Sequence, residues 1–217
     1  MILNNFIVLE GIDGAGTTTQ LNLLKKRLTK KNAFFTAEPS KSETGKFLRS
    51  VLHGDIKLNP KTIAFLFATD RNEHLYGSIK NDNSKISKDC GIVERCNNGQ
   101  LCITDRYLFS SLAYQSIECG KELPRKLNSD FPLPQIVFYF ILPPSESLNR
   151  IKDRGVTEIY EKLEFLEKTA KEYEKIFYEY EKLDSKMKIV RIDATQEVDK
   201  IEKIIWRELS LLPILKE

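Results

Sequence analysis

Residues Gly11-Ile12-Asp13-Gly14-Ala15-Gly16-Thr17-Thr18 constrain this chain more than any other stretch. They follow Phe6-Ile7-Val8-Leu9, a short, branched apolar run that suits a buried parallel strand. They open Thr19 to Lys30, where Leu21, Leu24 and Leu28 recur at helical spacing. A strand, a glycine-rich turn and a helix in that order are the context of a phosphate-binding loop. Glycines let the backbone curl so that successive N–H groups point at anionic oxygens, and the helix N-terminus adds partial positive charge there. Residues Gly11, Ile12, Asp13, Gly14, Ala15, Gly16, Thr17, Thr18 and Thr19 are therefore the expected phosphate contacts. Thr18 holds the position whose hydroxyl coordinates Mg²⁺. The bland alternative is a turn that binds nothing, and the agreement of strand, spacing, Thr pair and helix weighs against it. One residue departs from the pattern: position 17, where a lysine would reach the β/γ-phosphates, carries Thr17. Losing one such stabiliser costs on the order of 10²–10³ in rate if nothing replaces it.

Further apolar runs at Ala33 to Thr36, Leu101 to Thr104, Ile136 to Leu142 and Lys188 to Ile192 read as strands. Helical spacing marks Thr44 to Leu52, Pro60 to Ile79, Phe109 to Ile117, Ser147 to Arg154, Ile159 to Leu183 and Glu197 to Leu212. Asn81 to Asn98 is polar and closes on the turn signal Asn97-Asn98-Gly99. Gly120 to Pro134 reads as a loop with room for a short helix. Strands alternating with helices predict a five-stranded parallel sheet covered on both faces, a three-layer α/β/α sandwich. With no repeat or flexible linker in its 217 residues, the chain is expected to form one domain, 1–217.

Hydrophobic residues at 41% and charged residues at 30% suffice for a sizeable core under a solvated surface. A net charge of +3 without a concentrated basic face argues against a nucleic-acid partner. No window reaches the roughly 20 apolar residues of a spanning helix, so no membrane role is expected. Cys90, Cys96, Cys102 and Cys119 lack the paired spacing of a zinc site; Cys102, in an apolar run, reads as a buried thiol. Free thiols and the lack of an export signal point to the cytoplasm. His53 and His74 read as surface residues and Trp206 as core.

Phe6 to Gln20, FIVLEGIDGAGTTTQ, resembles the thymidylate kinases, a family of nucleoside monophosphate kinases with the P-loop NTPase fold. Leu66-Phe67-Ala68-Thr69-Asp70-Arg71 looks like the family's base-binding helix. Thr104-Asp105-Arg106-Tyr107 through Gln115 is close to its DRY segment. Glu38-Pro39 with Gly45 and Arg49 is similar to its second-strand loop, and Ile192-Asp193-Ala194-Thr195 to its late strand end. The resemblance implies transfer of the ATP γ-phosphate to dTMP, with Mg²⁺ as cofactor, ATP and dTMP as ligands, and a homodimer. It implies that Phe67 stacks on thymine and that Arg71, Ser111 and Gln115 supply its polar edge. Asp13 approaches the sugar 3′-hydroxyl, Arg106 and Arg49 meet the acceptor phosphate, and Glu38 orients these basic groups. Thr18 and Asp105 hold Mg²⁺.

The chain departs from the family at Thr17, and Ala37 stands where many relatives place an arginine before Glu-Pro. Gly14 stands where one class of the family carries a catalytic arginine; relatives without it place one in a lid, after an Arg-Gly pair. Here Arg154-Gly155 is followed by Val156-Thr157-Glu158-Ile159-Tyr160-Glu161. In the lid, residues 150–160, Arg150 or Arg154 is therefore expected to supply the missing charge. Two rival readings are a nucleotide-binding pseudokinase and a kinase for another nucleoside or nucleotide.

Overall fold

The computed structural model describes residues 1–77, 79–82, 85–88, 90–152, 159–160, 162–183 and 185–216. The run Phe6 to Leu9 is fully buried, the centre of a first strand β1 (Ile2–Gly11) that is longer at both ends than its apolar core. Four more strands join it: β2 (Ala33–Ala37), β5 (Leu101–Asp105), β6 (Leu133–Ile141) and β7 (Lys188–Asp193). All pair in parallel, in the order β2-β5-β1-β6-β7. The chain moves one way from β1 to β2 through α1 (Thr17–Arg27), and the other way in every later crossing. Right-handed crossovers then place α1 on one face and the later helices on the other. After β7, α9 (Val198–Leu209) returns to pack on α1. β1 and β5 are neighbours whose connections leave on opposite faces, which opens a crevice above their C-terminal ends.

The face opposite α1 is built from α2 (Glu43–Leu52), α3 (Pro60–Tyr76), α4 (Ile92–Asn97), α5 (Leu108–Cys119), α6 (Glu122–Asn128), α7 (Pro144–Ile151) and α8 (Leu163–Lys182). Several expected boundaries move. α3 stops at Tyr76 because Gly77 turns to φ 85°, and Ile79 belongs instead to a strand. The polar stretch 81–98 carries regular structure at its described residues. It holds most of an antiparallel hairpin, β3 (Ile79–Asp82) with β4 (Lys85–Lys88), and then α4. A Cβ at Gly91 would lie 2.3 Å from the Leu75 carbonyl, so this residue lets the chain return across the end of α3. α8 starts at Leu163, after a turn at Ile159 and Tyr160, and the last helix divides into α9 and α10 (Pro213–Lys216). Cys102 is buried as expected. Trp206 is half-buried against the core, with the Arg27 guanidinium 4.6 Å from its ring. Among the described residues no helix is long and apolar enough to cross a membrane.

Candidate active site

The phosphate loop leaves β1 at Gly11, where a Cβ would meet the Phe140 carbonyl at 2.8 Å. Gly14 and Gly16 adopt φ of 78° and 94°, the left-handed region that glycine enters without strain. Ala15 N–H closes the turn on the Ile12 carbonyl at 3.1 Å, and Ser147 on α7 donates its hydroxyl to the Asp13 carbonyl. α1 begins at Thr17, two residues earlier than its leucine spacing suggests. The N–H groups of Thr17, Thr18 and Thr19 thus lie in a first turn with no helical acceptor behind them. Thr17 itself is almost buried in the cleft wall.

Thr18 Oγ1 donates to Asp105 Oδ2 at 2.5 Å, joining the loop to the end of β5. Asp105 Oδ1 is buried and accepts nothing from the described residues. A carboxylate oxygen left open beside a threonine hydroxyl suits a hard cation that takes oxygen ligands and keeps several waters. No group of three His, Cys, Asp or Glu side chains converges among the described residues. A Mg²⁺ held here would accordingly depend on substrate oxygens for much of its shell.

Arg106 follows at φ 73°, a left-handed conformation that costs a side-chain-bearing residue about 1–3 kcal/mol. Its Nη2 reaches Asp13 Oδ1 at 2.6 Å, and its Nη1 donates to the Gly11 carbonyl. Tyr114 donates to Asp13 Oδ2 at 3.0 Å. Arg106 is thus fixed between the loop and α5 rather than extended into solvent.

Across the cleft, Arg71 is 1% exposed, one of the most buried side chains in the protein. Its Nε and Nη2 donate to Glu38 Oε2 at 2.9 and 2.6 Å, Nη2 to Ser111 Oγ at 3.1 Å, and Nη1 to Asn128 Oδ1. Glu38 Oε1 lies 3.2 Å from Nδ1 of His74, whose Nε2 meets Thr36 Oγ1 at 2.7 Å. His74 is therefore not the surface residue expected of it; placed one turn beyond Arg71 on α3, it faces the same carboxylate. His53 is exposed, as expected.

The loop after the cis Glu38–Pro39 peptide is gathered by Asp70. That buried carboxylate accepts from Ser40 N–H at 2.7 Å, and from the hydroxyls of Ser40, Ser42 and Thr44 at 2.6, 3.0 and 2.8 Å. Arg49 donates to the carbonyls of Pro39 and Ser40 at 2.5 and 2.8 Å. Gly45 is required there, since a Cβ would fall 2.0 Å from the Ser40 carbonyl.

One cleft of about 300 Å³ joins these groups. Its walls include Asp13, Gly14 and Gly16 to Thr19 of the loop with Asp105 and Arg106 on one side, and Glu38, Arg49, Phe67, Arg71 and Gln115 on the other. Gln115 Oε1 is buried with no hydrogen-bond partner among the described residues. Ser111 is not in the wall and holds Arg71 from behind. Arg150 is not brought to the cleft either: its Nη2 donates to the Ala194 carbonyl at 3.0 Å and its Nη1 to that of Gly14 at 3.4 Å. Arg154 lies outside the described residues. Sequence reasoning missed Tyr114 and Tyr160, which also line the cleft, and the buried Glu10. The four-residue spacing of Ser110 and Tyr114 was the available signal.

A phosphate loop on one bank of a switch-point crevice, with an aromatic and buried polar groups on the other, defines a P-loop kinase of the nucleoside monophosphate type. The thymidylate kinase family model matches residues 9–205. A provisionally named thymidylate kinase of Treponema pallidum is 40% identical over 96% of each chain. One from Methanocaldococcus jannaschii, also provisionally named, is 36% identical over 98% of this chain and 100% of its own. A thymidylate kinase of Leptospira interrogans is 36% identical, covering 79% of this chain and 80% of its own. The chain belongs to the thymidylate kinase family.

Proposed function

We propose that this chain transfers the γ-phosphate of ATP to dTMP, giving dTDP for dTTP synthesis. The observation that carries the reading is the single cleft in which the phosphate loop faces Phe67, Arg71 and Gln115. In this reading the free N–H groups of the loop hold the donor phosphates, and the ring of Phe67 lies against thymine. Arg71, already held by Glu38, Ser111 and Asn128, presents a fixed guanidinium to the base edge. Gln115 offers its unpartnered carbonyl oxygen to a base N–H. Asp13 accepts from the sugar 3′-hydroxyl, and Arg106 and Arg49 clamp the acceptor phosphate with planar forks.

The acceptor phosphate attacks the γ-phosphorus in line as its bond to the β,γ-bridging oxygen breaks, releasing ADP with no covalent protein intermediate. Catalysis is positioning plus neutralisation of charge. Mg²⁺, held by Thr18 and Asp105, would neutralise charge on the transferring phosphates. Thr17 stands at the position of the loop lysine, and we assign its missing charge to Arg150 and Arg154. Arg150 touches the loop at Gly14, and Tyr160, at the end of the lid, already lines the cleft. Lid closure over residues 150–160 would bring these cations forward and exclude water. The reading includes one domain over 1–217, a cytoplasmic location and the homodimer common in the family.

A coupled assay with ATP and dTMP, and with dUMP, dCMP and dGMP as controls, tests the proposal. Robust dTDP formation with the controls slower by at least about tenfold is expected, since a base site of specific donors rejects poor matches. Thr17 favours a second reading, nucleotide binding without useful transfer, and dTMP binding without turnover would establish it.

A further inference from the structure

Glu10 closes the apolar part of β1 and is fully buried, yet it is not part of the cleft wall. Its carboxylate is completely engaged. Oε1 accepts from the backbone N–H groups of Tyr107 and Ser110 at 2.8 and 3.1 Å. Oε2 accepts from the hydroxyls of Ser110 and Tyr173, both at 2.8 Å. The backbone pair lies at the N-terminus of α5, where partial positive charge favours a carboxylate.

The hydroxyl pair leads toward the cleft. Arg106 Nη1, one of whose two hydrogens goes to the Gly11 carbonyl, turns the other toward Ser110 Oγ at 3.4 Å and Tyr173 Oη at 3.3 Å. Arginine carries donors only, and a hydroxyl has a single hydrogen. Neither hydroxyl can donate to Arg106, so their hydrogens run toward Glu10, directly or through each other across the 2.8 Å between Ser110 Oγ and Tyr173 Oη. The direction of this relay is set by Glu10 being ionised, an acceptor at both oxygens. A proton or an amide at Oε2 makes that atom a donor, so at least one hydroxyl must turn its hydrogen away from it, toward the other hydroxyl or the guanidinium.

We propose that Glu10 is a positioning residue whose negative charge, relayed by Ser110 and Tyr173, holds Arg106 in register for the acceptor phosphate. The inference rests on the proposed transfer to dTMP and on Arg106 as a ligand of its phosphate. The titratable groups facing Glu10 are Arg106 after β5, Tyr173 on α8 and Tyr139 on β6; Arg106 is the cation of the set. Burial pushes the Glu10 carboxyl up to about 7, against the pull of Arg106 and of its hydrogen-bond donors. Its charge therefore switches close to neutral pH, within reach of a kinetic experiment.

The experiment measures KM for dTMP and kcat at saturating ATP for wild type, Glu10→Gln and Tyr173→Phe, at about pH 6 and about pH 8. At the higher pH, Glu10→Gln should raise KM about tenfold, the scale of a charge-assisted hydrogen bond, with kcat much less affected. At the lower pH the two enzymes should agree within about twofold, because the wild-type carboxyl has itself taken up a proton. Ionisation of dTMP is common to both and cancels in the ratio. A KM ratio that is the same at both pH values marks a purely structural Glu10 and overturns the inference. If the Gln variant does not fold, Tyr173→Phe carries the test alone, since it keeps the ring stacked on Tyr139. A raised KM with kcat held then supports the relay, and an unchanged KM overturns it. Failure of the wild type to phosphorylate dTMP would sink the functional reading instead, before any variant is compared.

Discussion

The two banks of the cleft are built on opposite terms. On the acceptor side, Arg71, Glu38, His74, Ser111 and Asn128 close a web of side-chain bonds in which every charge already has a protein partner. On the donor side, the loop is shaped by its glycines and one helix start, and it leaves polar groups open: the first N–H groups of α1 and Asp105 Oδ1. A closed web is stiff before ligand arrives and contributes to stability. An open set contributes little to the fold and is completed only by substrate. Stability and activity should therefore separate across the cleft.

The largest effect is expected on the acceptor bank. Glu38→Ala would leave the Arg71 guanidinium buried without its counter-charge, which costs about 3–5 kcal/mol of stability. Urea denaturation reads this directly, and a loss below about 1 kcal/mol, the worth of an exposed pair, would break the contrast. On the donor bank, Asp105→Asn should leave stability within about 1 kcal/mol, because only one hydrogen-bonded oxygen changes its character. Its turnover should nevertheless fall by about 10²–10³ in a single-turnover assay at saturating dTMP. A smaller effect tests where the loop's missing charge went. Arg150→Ala combined with Arg154→Ala should lower kcat by about 10² with stability held, the low end of the range for one lost stabiliser. Turnover within about twofold of wild type would show that neither arginine supplies it.

The donor bank was the legible one. Gly11, Gly14, Gly16 and Thr18 state their purpose locally, because a strand, a tight turn and a helix start occupy consecutive residues. The sheet was legible for a similar reason, each of its five strands containing a short apolar run. The acceptor bank is assembled from four separate segments, and no local pattern tells that His74 meets Glu38 across thirty-six positions. Glu10 was hidden differently. A lone carboxylate ending a strand looks like an ordinary edge residue until α5 and α8 bring its donors to it. The hairpin at β3 and β4 escaped because its strands carry polar residues, so an apolar rhythm was not there to find. Resemblance to the family supplied Arg71, Ser111 and Gln115 where residue patterns alone would have passed them over.

The left-handed backbone at Arg106 has a consequence for anyone altering this protein. Glycine would relieve the backbone there by about 1–3 kcal/mol, but it would leave the Asp13 carboxylate without the guanidinium 2.6 Å away. The same choice would delete the guanidinium that ties Asp13 to the DRY segment. Backbone relief and loss of the ion pair therefore pull in opposite directions at position 106, so a melting temperature alone would not report what the cleft had lost.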